Sequence, residues 1–370
     1  MHTMHPTVLV GPADWDAAAL PREGFDGRLA GLWAACGGRC SGALVHGSPR
    51  HHAELAYLTS FTPKLEPALA LIPTAGSPRL LVGGGVNMVP AAKPLTWIDD
   101  VAALRGAGKA VRDWARGLPA GPLALIGVDD MRVELHQDIF GALDGAVAVD
   151  DVTAILRLDM RRKSARELAL IRQACAMLDA AVAAMRAAKA SGKGATDVVL
   201  AGEQAACARG AQDVRTFVSR DGGRTLQPFY VPLAGAVDPA QVYVTVRHRG
   251  YWAESFVMLT DRPNPALDQA RVALRQALPL LKAGAKRGDV EDAVASALAP
   301  DKVHPAVTRA AASIGLSLDD EGIAGDMLLA GEVVSLRAGV TSAAGAAICS
   351  AMVVVERGGH EVLWSADALT

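Results

Sequence analysis

Several groups of residues in this chain have side chains suited to chemistry. Asp319, Asp320 and Glu321 stand together after Leu316. Crowded carboxylates raise one another's pKa, so one of them would serve as a general base near neutral pH; a solvated acidic loop is the commoner use of such a run. Arg220 and Arg224 flank Gly222 and Gly223, a glycine loop with two guanidiniums that suits capture of an anion or forms an ordinary polar turn. Cys36 and Cys40 form a lone C-x3-C with no second pair nearby, which favours packing over a zinc site. His248 stands between Arg247 and Arg249, His304 precedes Ile314, and His51 and His52 follow a Ser-Pro turn. Lone histidines of this kind are more often structural or exposed than catalytic.

The chain that must position these residues has 370 of them, 51% hydrophobic and 21% charged. That is the balance of a globular protein with material for two cores. A formal net charge of -2 gives no electrostatic reason to expect nucleic acid or an anionic membrane as partner. Apolar runs such as 68–72 and 352–355 are far too short to span a bilayer. The first residues lack a basic start followed by an apolar stretch, so the expected location is cytoplasmic. Five cysteines at wide spacing do not read as a disulfide framework.

Apolar runs at 43–45, 68–72, 79–82 and 122–128 alternate with helical pattern such as 29–35, which predicts a small α/β layer up to about residue 154. A basic and polar break at 159–163 marks the expected boundary, giving domains 1–155 and 160–370. Ser164 then opens a helix, with Glu167 three residues later in a capping-box arrangement. The helix continues through Leu168, Ile171, Ala174, Leu178 and Val182 and stops before Gly192. The segment KASGKGATDV at 189–198 is echoed by KAGAKRGDV at 282–290. Each copy follows a long helix and opens a second one, and strands come after: 241–246 and 251–259 in the first half, 333–336 and 347–355 in the second. Two related halves are too few for a solenoid. Facing each other, they would enclose a cleft between their sheets, a natural place for a ligand.

Several of these segments resemble a known family. RKSARE at 162–167 is similar to the opening of the catalytic domain of creatinases, prolidases and aminopeptidases P. GYWAE at 250–254 resembles the strand carrying that family's second metal-binding aspartate. IGL at 314–316 resembles the tail of its GHGIGL motif, and LAGEVVSLRAG at 329–339 its segment ending in Glu-Pro-Gly. GAAICSAMVVV at 345–355 resembles its last ligand strand, and YLTSF at 57–61 its YLTG stretch. The resemblance implies an α+β protein: a pita-bread domain of two pseudo-symmetric halves, preceded by a smaller α/β creatinase-like domain. It also implies a homodimer acting on a small-molecule substrate, with Tyr57 and Phe61 as candidate lining residues.

Family members with metal hold a pair of divalent ions with two aspartates, a histidine and two glutamates. Carried onto this chain, the first aspartate falls within 243–246, where there is no acid, and the second becomes Glu254. The histidine becomes Ala312, and the two glutamates become Arg337 and Cys349. The Pro-His step of the metal-free creatinases reads Pro228-Phe229, and the family's second histidine region reads Asp319-Asp320. A divalent ion ~4 Å from a guanidinium at an effective dielectric of ~20 meets roughly 8 kcal/mol of repulsion. The expectation is therefore a site with no metal and no cofactor. Glu254 would move protons, or would only close a salt bridge with Arg337 that fills the pocket; Cys349 would be a thiolate beside it, or a small buried hydrophobe; Asp319 or Asp320 would be a base. Arg337, Phe229, Arg220 and Arg224 would hold the substrate. The chemistry would act on a C–N bond of an amino-acid-like or guanidino compound. Two alternatives stand beside it: a non-catalytic pseudo-peptidase that binds a ligand, and a metallopeptidase with a rearranged metal site.

Overall fold

A computed structural model describes residues 14–229, 240–260, 262–298, 302–318, 326–342 and 345–366. The chain divides into two compact units, Met1–Met160 and Arg161–Thr370.

The first unit runs α1 (Arg22–Ala35), β1 (Gly42–Gly47), α2 (Ala53–Thr59), β2 (Ala68–Pro73), β3 (Arg79–Val82), α3 (Val89–Ala92), β4 (Asp100–Ala103), α4 (Ala107–Arg116), β5 (Leu123–Ile126), α5 (Val133–Leu143), β6 (Val149–Asp151) and α6 (Thr153–Met160). Its six strands form one mixed sheet in the order β4-β3-β2-β1-β5-β6. The apolar runs of the sequence become its central strands, buried on both faces as continuous aliphatic segments must be. Leu44, Leu69, Leu81 and Leu125 face Val111 of α4 and Ile139 of α5.

The second unit is built twice over. Its first half is α7 (Ala165–Ala190), α8 (Ala195–Ala208), β7 (Asp213–Val218), β8 (Gln227–Pro228), β9 (Ala240–His248) and β10 (Tyr251–Leu259). The second half is α9 (Pro265–Ala277), α10 (Arg287–Ala297), β11 (Ala311–Ser313), β12 (Val333–Ser342), β13 (Gly345–Val355) and β14 (His360–Ser365). The sheets are ordered β10-β9-β7-β8 and β11-β12-β13-β14. This is the helix-helix-strands repeat expected from the two glycine-turn segments. The halves meet where β10 lies against β13, and side chains take over from the missing ladder. Phe256 N–H donates to Ser350 Oγ at 2.9 Å, and Ile348 N–H donates to Gln241 Oε1 at 2.8 Å. Strand-edge amides that would otherwise be orphaned are thereby satisfied.

The capping box at the start of α7 is present as expected. Glu167 N–H donates to Ser164 Oγ at 3.3 Å, and Ser164 N–H donates to Glu167 Oε2 at 2.9 Å. The other carboxylate oxygen accepts the Tyr251 hydroxyl at 2.9 Å, tying the helix start to β10. By length and composition α7 is apolar enough to cross a membrane. Here its buried stripe, including Leu170, Ile171, Ala174, Leu178 and Val182, packs on β9 and β10.

The polar stretch at 159–163 contains the point where the two units divide. Arg161 is 1% exposed. It grips the fully buried Glu332 through Nε at 3.1 Å and Nη2 at 2.7 Å, and Nη2 also donates to the Met327 carbonyl. Arg287 and Ser313 donate to the same carboxylate, and so does the Leu329 N–H at 3.1 Å. Burial by itself would raise the Glu332 pKa; Arg161, Arg287 and Ser313 outweigh it and hold the group below the ordinary glutamate value.

Arg287 still faces Glu332 when Arg161 is removed, so Arg161→Met takes away charged hydrogen bonds rather than all the counter-charge and is expected to cost about 1.5–3 kcal/mol, measured by urea unfolding. Because the folded pKa of Glu332 is depressed, its stabilisation is complete above the unfolded value of about 4.3 and is lost as pH falls through the folded value. Glu332→Gln is expected to flatten that acid limb of the stability profile.

Candidate functional site

Strand alternation sets the chemistry of the second unit. On β12 and β13, Val334, Leu336, Ala338, Cys349, Ala351 and Val353 belong to the aliphatic core shared with α9 and α10. On β10, Tyr251 reaches α7. The alternate residues turn away from the helices: Tyr243 and Thr245 on β9, Glu254 and Phe256 on β10, Ser335 and Arg337 on β12, Ser350 on β13. Register confirms the grouping, pairing Tyr243 with Phe256, Thr245 with Glu254 and Arg337 with Ser350.

Glu254 and Arg337 meet at the centre of this face. Arg337 donates to Glu254 Oε1 through Nε at 2.7 Å, with Nη2 also on that oxygen. The second oxygen, Oε2, accepts the Tyr243 hydroxyl at 2.6 Å. Glu254 is fully buried and the Arg337 side chain is 9% exposed. Burial first, and then the Glu254 charge, push the Tyr243 pKa well above the ordinary phenol value, so the hydroxyl stays a donor. Aromatic rings wall the pair. Tyr243 lies 4.5 Å from Phe256 and 5.7 Å edge-on to Phe217, and the Arg337 guanidinium sits 6.0 Å from the Phe256 ring. Two buried polar atoms of this face, Thr245 Oγ1 and Gln241 Nε2, have no hydrogen-bond partner.

Cys349 does not join this site, which corrects its expected place beside Arg337. It pairs with Ala338 and is fully buried on the helix side among aliphatic residues. Motif alignment puts a cysteine at the family's last glutamate, but strand register puts Ser350 opposite Arg337. Arg220 and Arg224 also differ from an anion-binding lid. Arg220 is exposed, and Arg224 donates to the Ser342 carbonyl at 3.0 Å. Between them Asp221 ties the turn, accepting from Ser219 at 2.8 Å and from the Thr225 N–H at 2.9 Å and hydroxyl at 2.8 Å. Those bonds outweigh burial and lower its pKa. Gly223, at φ 92°, comes so close to β13 that a Cβ would lie 2.6 Å from the Ala346 carbonyl. Its own carbonyl accepts His304 Nε2–H at 2.7 Å. His304 Nδ1 accepts the Ala306 N–H at 3.1 Å, and burial lowers its pKa. This histidine is a neutral structural tie.

Phe229 continues the edge strand, with its N–H on the Thr216 carbonyl at 2.9 Å. Tyr57 and Phe61 are core residues of the first unit. The Tyr57 hydroxyl donates to Asp159 at 3.0 Å, and Arg28 covers the ring at 4.0 Å. Phe61 borders a small apolar pocket with Val82, Met88 and Leu95. Asp319 and Asp320 lie outside the described residues. Sequence reading missed Tyr243 as the partner of Glu254. Strand alternation was the available signal, since 243 lies two residues from 245, the hairpin partner of 254, and so shares its face.

The metal pair that the resemblance implies does not fit these residues. One carboxylate is present, it is held by a guanidinium, and Ala312 offers no donor atom. Among the described residues no three His, Cys, Asp or Glu side chains converge to hold an ion.

The two repeated halves, with their strands backed by helices, make the second unit a pita-bread module, one in which a buried ion pair stands at the centre. No family model and no curated sequence match this chain. Solved structures do match it. Prolidase from Thermococcus sibiricus has a TM-score of 0.74 at 15% identity, over 93% of this chain and 97% of its own. The dipeptidase PepE from Mycobacterium ulcerans has a TM-score of 0.72 at 19% identity, over 96% and 98%. The N-terminal domain of the FACT complex subunit SPT16 from chickpea has a TM-score of 0.67 at 14% identity, over 93% and 97%. The chain has the α+β fold of the prolidases and X-Pro aminopeptidases along nearly its whole length.

Glu254→Leu or Arg337→Met alone is expected to cost about 3–5 kcal/mol, while the double replacement recovers most of the loss. A double-mutant cycle in denaturant measures this. Tyr243→Phe leaves one carboxylate oxygen unbonded and is expected to cost about 1–3 kcal/mol.

Proposed function

We propose that this chain is a non-hydrolysing relative, in fold, of the X-Pro peptidases: a binding protein that uses the helix-free face of its second unit to hold a small peptide-like or amino-acid-like ligand. The engagement of both Glu254 oxygens carries this reading. A general base needs a lone pair aimed at a water or substrate proton. Here Oε1 is taken by Arg337 and Oε2 by Tyr243. The Cys349 thiol, the sequence's candidate nucleophile, faces the aliphatic core. What favours a ligand is that Thr245 Oγ1 and Gln241 Nε2 share the face with the ion pair and have bonding capacity left for a polar group. Half-buried Phe217 and Tyr243 beside them supply apolar surface. The likeness to a domain of a complex subunit is compatible with a binding use of the fold.

A second reading keeps catalysis without metal on a C–N bond. It is favoured by the partial exposure of the Arg337 side chain, which would let a substrate carboxylate displace Glu254 from the guanidinium and release the acid as a base. In this version Arg337 positions the substrate and Glu254 moves the proton.

The readings separate in one set of measurements on dialysed protein: metal content, turnover of X-Pro dipeptides in chelator, and thermal shift with the same dipeptides and with free amino acids. Binding without turnover and without stoichiometric metal is expected. Turnover in chelator that is lost in Glu254→Gln would establish the second reading. Two bound divalent ions per chain with dipeptide hydrolysis would overturn both. Thr245→Val is expected to keep or raise the stability of the ligand-free protein by up to about 1 kcal/mol, because it deletes an unsatisfied hydroxyl, and to weaken the ligand-induced shift.

A further inference from the structure

The first unit has an apolar pocket of its own. At the end of β3 the chain passes through Gly83, Gly84 and Gly85, the last two at φ 84° and 89°, and turns out of the sheet towards α3. Close contact requires the first of these glycines: a Cβ on Gly83 would lie 2.5 Å from Glu66 Cβ and 2.7 Å from the Pro67 carbonyl. The segments before β2 and after β3 thus touch at this point, and beside it they part around a pocket lined by both. Buried Phe61, Val82 and Ala92 form its base, and half-buried Met88 and Leu95 stand further out. The cavity volume is about 40 Å³, room for roughly three or four methyl-sized groups.

Two features set this space apart from a packing gap, since native interiors keep few voids larger than a water. Its wall runs out into aliphatic surface that faces water: Leu65, which lines it, is 43% exposed, and Val86, in the turn leading to Met88, is 55% exposed. Charge also gathers at the pocket with one sign in excess. Lys64 and Glu66 both line it, and Glu66 is taken by Arg132 at 3.0 Å, so the three groups sum to one positive charge. Half-buried Lys64 is suited to lay its methylenes on the apolar wall while its ammonium stays at the water.

We propose that this pocket binds a short, branched aliphatic carboxylate, with the chain in the cavity and the carboxylate on Lys64. Cavity size limits the chain to an isobutyl-like group. Met88, an unbranched thioether, adjusts the wall to the guest. Burial of the chain supplies most of the affinity, and the ammonium ranks the head groups: acid above the alcohol of the same chain, and alcohol above the amine. An ion pair at a water-filled mouth is weak, so acid exceeds alcohol by up to about fivefold.

The test is NMR of the full chain with methyl-labelled methionine, titrated with isovalerate, isoamyl alcohol, isoamylamine and acetate. The Met88 signal, identified by its loss in Met88→Leu, is expected to move saturably with isovalerate. Met131 and Met160, buried elsewhere in the same unit, are expected to stay in place. Isoamyl alcohol is expected to move the Met88 signal with weaker binding, and acetate to leave it unmoved. Lys64→Gln is expected to bring acid and alcohol to equal affinity, and Ala91→Leu, which adds bulk to the lining, to weaken both. A Met88 signal unmoved by isovalerate up to about 20 mM, or moved as readily by isoamylamine, overturns the proposal. Both of those readouts come from the wild-type chain, so a folding defect in a variant cannot obscure them.

Discussion

A carboxylate taken wholly out of water must find its counter-charge inside the protein, and the second unit is organised around that requirement at Glu254. Desolvating the ion costs several kcal/mol, a cost met only if opposite charge and good hydrogen bonds replace the lost water. Arg337 supplies the charge from 83 residues further along the chain, out of the other sheet, and Tyr243 fills the remaining oxygen. The pair therefore joins the two halves electrostatically, just where Ser350 and Gln241 join them through backbone amides. Neither half satisfies its inner face alone. The repeat is two in sequence but one in energy.

The same accounting holds at Glu332, with a different result. There two guanidiniums, a hydroxyl and a backbone amide converge on a single buried carboxylate, so the local charge is in excess on the positive side. Its bonds reach β11, the start of α10 and the segment entering α7. It is a brace for the outer ends of strands and helices, whereas Glu254 sits on the face where a ligand would approach. Glu332 thus braces ends of elements within the unit, and Glu254 joins its two sheets.

Local signals in the sequence carried most of the architecture. The Ser164–Glu167 capping box, the aliphatic runs that became β1, β2 and β3, and the two glycine-turn segments each depend on residues within a few positions of one another. What was not legible depended on partners far away in the chain. Arg161 lies in a polar stretch that reads only as a boundary, because nothing near it announces Glu332. The Arg220–Thr225 loop reads as an anion-binding loop or a plain polar turn, because its ties to Ser342 and His304 come from a distant part of the unit. Cys349 was placed by motif alignment, which counts residues. The structure places side chains by strand parity, in which a shift of one position exchanges the core for the inner face. An aligned position and a spatial position then differ by a whole sheet thickness.

Parity also explains how a face of this fold can be neutral with an ion pair in place of metal ligands. A dinuclear centre balances about four negative charges from its ligands against two divalent cations. Here one carboxylate is balanced by one guanidinium, and both arrangements are close to neutral. Neutrality, rather than the metal itself, is what burial of the inner face demands. The helix face beneath is aliphatic in either case, so the sheets need not move. The difference lies in exchangeability: a divalent ion can leave, bind water and lower its pKa, whereas a guanidinium attached to β12 can do none of these and can only be re-paired. Any activity on this face must therefore work by exchanging partners around Arg337, with an incoming anion competing against Glu254 for the same nitrogens. Affinity for such a ligand is bounded by how far its charge outdoes a carboxylate already in place at 2.7 Å.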